Sequence, residues 1–280
     1  MPSDFCYLSH SFPPHIFLIT SYTHEVANFA SDSMDFFSFS VVCSLIFSTI
    51  SSVTESFPIV FNAWITIAVL YDNFEASYAD ALAKAAGIQT VLNLADGQEM
   101  MESYIAADDF ASPYYLSLYQ NGSVKLLNLG IDFTTPDFQK GLADGLRFLT
   151  VSKGPYLVHC NEGKDRAGFV SALLSCLMGA DYNQVVNDYM ISYENYYHLE
   201  AGSEQYEAVK NSNIVSILST ITGVSDPAKL KKADLSAAAE AYVKAIGLTD
   251  EEINALKANL SQDCPEPAAI TDNVLTIPAA

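Results

Sequence analysis

The stretch PYLVHCNEGKDRAGFVSALLSCL, residues 155–177, decides the fold, because an apolar β-type run passes through a short polar loop straight into a helical pattern. Cys160 opens that loop, and Arg166, one of only two arginines in the chain, closes it six positions later. A loop that leaves a strand and enters a helix turns its backbone N–H groups, from Asn161 through Glu162, Gly163, Lys164 and Asp165 to Arg166, inward around Cys160. That is an anion nest at a helix N-terminus, and a dianionic phosphate fits it. Gly163 stands where such a loop needs a positive φ or a close backbone approach to the ligand. The donors that hold phosphate also stabilise a thiolate, so Cys160 reads as a nucleophile. Arg166 reads as the planar fork that clamps two oxygens of a transferring phosphoryl group. His159, just before the nucleophile, orients the loop through hydrogen bonds and need not act as a base. The alternative, a buried cysteine beside an exposed charged turn, leaves the β run, the placed glycine and the following helix as coincidences.

Working outward, WITIAVLY (64–71) reads as a strand, SYADALAKAAG (77–87) as a helix ending at Gly87, and IQTVLNL (88–94) as a strand. VKLLNLGI (124–131) is a further strand. TPDFQKGLADGLRFLTV (135–151) is a helix with Thr135 as N-cap, Pro136 at its first position, and Phe138, Leu142, Leu146 and Leu149 on one face. Strands alternating with helices predict an α/β fold, with a central, mostly parallel sheet flanked by helices. The C-terminal portion is helical. Asp181 and Gln184 form a capping pair before DYNQVVNDYMISYENYY, NSNIVSILSTITGV follows, a helix runs from about Ala233 to Ile246, and Thr249 with Glu252 caps a last helix carrying Ile253, Leu256 and Leu260.

The 280 residues are 50% hydrophobic and 16% charged, a globular composition with room for a sizeable core. The net charge of −20 argues against nucleic acid or an anionic membrane as a default partner, so that membrane association stays open only through a locally basic active face. Five scattered cysteines without a Cys-x2-Cys pair, and five histidines of which three precede residue 25, predict neither a disulfide framework nor a metal site. No Lys or Arg occurs before Lys84. Residues 1–62 are an atypical apolar, Ser-rich segment, open to three readings: an export or anchoring segment, strands packed on the catalytic domain, or a stretch upstream of the true start. Its uncharged run from Phe36 to Val53 is just long enough to raise a membrane-anchor reading, although six serines dilute it and no basic flank precedes it. Residues 63–261 form the predicted domain, and 262–280, with three prolines, a loose tail. The acidic composition and apolar N-terminal part lean towards a secreted or cell-envelope location, while a catalytic thiol favours a reducing compartment.

HCNEGKDRAG resembles the signature of the protein-tyrosine-phosphatase superfamily, and its GKDR interior is similar to bacterial tyrosine phosphatases that share features with lipid phosphatases. Similarity extends through VLNLAD, GLADGLRFL, ALLSCLMGA, VVNDYM and GLTDEEINALKANL. The resemblance implies a two-step hydrolysis without metal or other cofactor, in which Cys160 forms a cysteinyl-phosphate, an aspartic acid protonates the leaving oxygen, and water then releases phosphate. It also places the general acid on the loop between the preceding strand and helix, here GIDFTTPDF. Asp132, 28 residues before Cys160, is the preferred candidate. Asp137, readable as a first-turn acid on a helix dipole, and Asp165, readable as a support for Arg166, are alternatives. Asp96 is a further carboxylate, more simply read as a turn cap. The family usually carries Ser or Thr after the arginine where this chain has Ala167, which predicts slow release of the intermediate. Lys164 resembles loops that accept inositol lipids as well as phosphotyrosine. The substrates implied are phosphotyrosine proteins, with phosphoserine, phosphothreonine or a phosphorylated small molecule or lipid in reach. The rivals are an inositol-polyphosphate phosphatase and a non-catalytic phosphate-binding module. Handling of another oxyanion, as in arsenate reduction, finds little support in the cysteine placement. Cys176 and the Tyr193, Tyr196 and Tyr197 cluster read as packing rather than site residues.

Overall fold

The computed structural model describes residues 17–19, 43–47, 64–67 and 73–262. In chain order the elements are β1 (Phe17–Ile19), β2 (Cys43–Phe47), β3 (Trp64–Ile67), α1 (Asn73–Ala85), β4 (Thr90–Asn93), α2 (Gln98–Ile105), α3 (Pro113–Gln120), β5 (Val124–Leu126) and α4 (Pro136–Val151). They continue with β6 (Tyr156–His159), α5 (Arg166–Leu177), α6 (Tyr182–Tyr197), α7 (Glu204–Ser212), α8 (Ile214–Thr222), α9 (Pro227–Leu230), α10 (Leu235–Ala245) and α11 (Asp250–Leu260). The strands form one sheet in the order β1-β2-β3-β6-β4-β5. The pairs β3–β6, β6–β4 and β4–β5 are parallel, and β1–β2 and β2–β3 antiparallel. This is the predicted α/β architecture, a mostly parallel sheet flanked by helices. The rest of residues 1–62, including most of the Phe36–Val53 run, and residues 263–280 lie outside the described residues. Among the described residues no helix is long and apolar enough to cross a membrane.

Alternation along the strands builds two cores. Val91 of β4 and Leu157 of β6 face Ala79, Ala83, Ile88 and Leu118 on the side of α1 and α3. Their neighbours Leu92, Tyr156 and Val158 face the larger core, which holds Phe138, Leu142, Leu146 and Leu149 of α4 and much of α5 to α11. Both faces being covered, the strands read as apolar runs rather than alternating ones. Helix α5 is the centre of the larger core: nine of its 12 residues are buried, an all-round burial that leaves its N-terminus little freedom to move.

Helix starts follow local chemistry. The Thr135 side chain accepts from the Phe138 N–H with Pro136 next to it, and Asp181–Gln184 and Thr249–Glu252 are complete capping boxes. Strand β5 is shorter than predicted. It ends at Leu126, and Asn128 then adopts φ +48, which breaks the regular ladder, although the Leu127 and Leu129 N–H groups still reach the carbonyls of Asn93 and Leu94. Asp132 consequently sits in the turn before α4 and not at a strand end.

Candidate active site

The loop from Cys160 to Arg166 leaves the carboxyl end of β6, next to β4, and runs into the first turn of α5. Cys160 is 2% exposed. Gly163 has φ +72, the left-handed conformation expected of it, which turns the loop back on itself. Among the described residues the N–H groups from Asn161 to Gly168 find no acceptor on backbone or side chain. Eight successive free donors at the start of a buried helix form a cradle for an anion.

Arg166 is fixed at one end and unsatisfied at the other. Its Nη1 donates to the Leu129 carbonyl at 2.8 Å, while its buried Nε–H has no partner. A buried guanidinium donor without an acceptor is costly, so the site is built to receive one. Leu129 is held in turn by the bond from its own N–H to the Leu94 carbonyl, 2.8 Å, which ties the Arg166 anchor to the end of β4.

Behind the loop lies a polar relay. His159 is fully buried, and its Nε2 meets the Tyr115 hydroxyl at 3.0 Å. Asn93 Nδ2 donates to that hydroxyl at 3.2 Å and to Asp96 Oδ2 at 2.9 Å, while Asn93 Oδ1 accepts the N–H groups of Ala95 and Asp96. Burial pushes the His159 imidazolium down to about 4, with the Asp96 charge opposing, so the ring is neutral at physiological pH. Burial also raises the Tyr115 phenol, which keeps its proton. Since Tyr115 accepts from Asn93, its O–H is free to donate to His159 Nε2, which puts the ring proton on Nδ1. Helix α3, which carries Tyr115, is fixed from α1: the Asp80 carboxylate accepts from the Tyr114 and Tyr115 N–H groups at 3.0 and 2.7 Å.

On the solvent side of the loop Lys164 binds both neighbouring acids, Glu162 at 2.9 Å and Asp165 at 2.8 Å. Partial burial disfavours its charge, but the bonds to Asp165 and then Glu162 prevail and raise the ammonium above its usual range. Asn161 is exposed, and Ala167 is 1% exposed in the core.

The candidate acids separate by setting. Asp132 is exposed, three residues beyond the Leu129 carbonyl that holds Arg166. Its Oδ1 accepts from the Thr134 hydroxyl at 2.6 Å and the Thr134 N–H at 3.0 Å, and these bonds, the hydroxyl first, lower its carboxyl below the usual range. Asp137 is exposed in the first turn of α4, Asp165 is tied to Lys164, and Asp96 is buried in the relay. Cys176 is fully buried and its thiol is pushed up to about 12 by that burial, which suits packing. Tyr193 is buried and Tyr197 stacks on it, while the Tyr196 side chain lies outside the described residues. Sequence reasoning missed Tyr115, Asn93, Asp80 and the Leu129 carbonyl. The Ser112-Pro113 start of α3 was the one signal that pointed towards Tyr115.

An anion cradle at the carboxyl end of a mostly parallel sheet, with an arginine held at its rim, defines a phosphate-handling α/β domain. Over residues 71–262 the chain matches the tyrosine phosphatase family, and it belongs to that family. It is therefore a phosphoric monoester hydrolase of the tyrosine-phosphatase type. The chain is also similar to a tyrosine-protein phosphatase of Nostoc commune, 25% identical over 224 residues that cover 65% of this chain and 69% of that protein.

Proposed function

We propose that residues 63–261 form a phosphatase domain that hydrolyses phosphotyrosine in proteins, with phosphoserine, phosphothreonine or phosphoinositides as lesser substrates, and that its HCxxGKDR loop marks a subgroup within the family. The observation that carries this reading is the buried, unpartnered Arg166 Nε at the end of the loop that Cys160 opens, together with the free amides of that loop. Phosphate oxygens bind the amides of Asn161 to Arg166 and the free edge of the Arg166 guanidinium. The Cys160 thiolate attacks phosphorus, the P–O bond to the leaving oxygen breaks with its electron pair, and Asp132 gives that oxygen a proton. Water then attacks the cysteinyl-phosphate and returns a proton to Asp132, so phosphate leaves and the thiolate is restored. Asp165 and Asp137 are the alternative acids. His159 supports the loop as a neutral ring.

Phosphate release from a phosphotyrosine peptide is the test. Wild-type protein turns the peptide over, and Cys160→Ser reduces turnover to the uncatalysed level while still binding the peptide. Clear preference for inositol hexakisphosphate over the peptide would overturn the substrate assignment. A second reading, a phosphate-binding module without turnover, is favoured by the apolar, buried Ala167 where the family usually has a hydroxyl. Binding with no release above the Cys160→Ser control would establish it.

A further inference from the structure

The segment that carries Asp132 is pinned to α5 at two points one helical turn apart. On one side the Leu129 carbonyl accepts from Arg166 Nη1 at 2.8 Å. On the other, the ring of Phe133 packs on that of Phe169, 4.7 Å between centroids, and on that of Phe138 of α4 at 5.2 Å, while Phe138 and Phe169 close the triangle at 5.4 Å. At such separations aromatic rings attract one another. Phe138 and Phe169 are buried, and Phe133 is half-buried against them. Arg166 and Phe169, three residues apart, are neighbours on one face of α5. Gly130, Ile131 and Asp132 therefore arch, exposed, across the first turn of that helix. The bonds that Thr134 and Thr135 make to Asp132 stay within the turn before α4, so they shape the arch without fixing it to α5. A Cβ on Gly130 would meet nothing within 4 Å, so nothing packs on the arch at that point either.

We propose that Phe133 is a positioning residue for the proton transfer. Its ring, seated on Phe169 and Phe138, holds the adjacent Asp132 in register with Arg166, so that acid and clamp take their places from the same turn of α5. This rests on the phosphatase reading above, with Asp132 as its acid. Phe133 touches no reacting atom. Without its ring the arch hangs from α5 by the Leu129 carbonyl alone, and the Asp132 carboxyl spends less of its time where a leaving oxygen can take its proton.

The test compares kcat/KM for para-nitrophenyl phosphate, whose weakly basic leaving oxygen departs with little help, and for phenyl phosphate, whose strongly basic one needs the proton. Slow breakdown of the cysteinyl-phosphate does not enter kcat/KM, and a misfolded fraction lowers both substrates equally, so the ratio of the two isolates the acid. Phe133→Ala raises the nitrophenyl-to-phenyl ratio about tenfold, a part of the roughly 10²–10⁴-fold that one acid contributes. Phe133→Leu, which keeps apolar bulk on Phe169, raises it by less. Asp132→Asn raises it by more than either, and adding Phe133→Ala to Asp132→Asn changes it no further. The inference is overturned if both Phe133 variants keep the wild-type ratio, as a general loosening of the core does, or if Phe133→Ala still raises the ratio in the Asp132→Asn protein. An unchanged ratio in Asp132→Asn would overturn the acid assignment, and this inference with it, while the phosphatase reading stands. Absence of wild-type turnover of either substrate above Cys160→Ser would overturn the phosphatase reading itself.

Discussion

At the residue scale, the loop carries two questions that single substitutions answer. The first is the identity of the acid. The Thr134 hydroxyl and N–H bind the Asp132 carboxylate and lower its pKa, so Asp132 gives up its proton early as pH rises. An acid catalyst needs that proton, and the alkaline limb of kcat/KM falls when it is lost. Thr134→Val removes the hydroxyl bond, raises the Asp132 pKa and moves that limb to higher pH. A limb that stays in place in Thr134→Val, but disappears in Asp165→Asn, assigns the acid to Asp165. The second question is Ala167. On the proposed mechanism, the lack of a hydroxyl after Arg166 makes breakdown of the cysteinyl-phosphate the expected slow step, so the prediction is a burst of leaving group on rapid mixing with substrate, followed by slow turnover. Ala167→Ser supplies a hydroxyl, raises steady-state kcat roughly tenfold, a modest share of what one acid–base group contributes, and shrinks the burst. Unchanged kcat with no burst would show that the first step limits the rate.

At the element scale, the helix that begins at Arg166 is held by close packing at its first turn. A Cβ on Gly168 would lie 2.5 Å from Cε2 of Tyr189, whose ring is buried on α6 and tilted against that of Tyr193. Gly168→Ala therefore forces α5 and α6 apart next to the cradle. The expected cost is about 1–3 kcal/mol of unfolding free energy, read by urea denaturation, with a larger fall in kcat/KM than the stability loss accounts for. Such contacts are not legible in a sequence, because Gly168 looks like any glycine in an apolar helix until its partner is known. Caps behave differently. Thr135, Asp181–Gln184 and Thr249–Glu252 were readable because each is a bond between neighbours in the chain. Cys160, Gly163 and Arg166 were readable for the same reason, as one loop carries all three. The relay behind them was not: Tyr115 reaches His159 across 44 residues, and Leu129 holds Arg166 through a carbonyl that every residue type possesses. Helices α2 and α3, eight residues each and without a side-chain cap bond, escaped because about two turns are too few to establish a helical period.

At the scale of the whole molecule, two buried groups set opposing pH dependences. His159 is held neutral, its pKa depressed from 6.5 to about 4, so an unfolded chain takes up a proton in that window while the folded one does not. Its contribution to stability is complete above 6.5 and is lost as pH falls through 4. Asp188 on α6 has a buried, unpartnered Oδ1, and burial raises its carboxyl from 3.8 to about 7. Its contribution is complete below 3.8 and is lost as pH rises through 7. Between about 4.5 and 6.5 acidification therefore removes stability through His159 and restores it through Asp188, and the wild-type protein has a shallow profile there. The substitutions separate the two. Asp188→Asn leaves the histidine slope alone, so the urea midpoint falls on going from pH 7 to 4.5. His159→Gln leaves the aspartate slope alone, so the midpoint rises over the same interval. Parallel profiles in all three proteins would mean that neither group titrates in the folded state as its surroundings require. A wild-type midpoint that drops steeply, with Asp188→Asn unchanged from it, would assign the acid sensitivity of the fold to the site histidine alone.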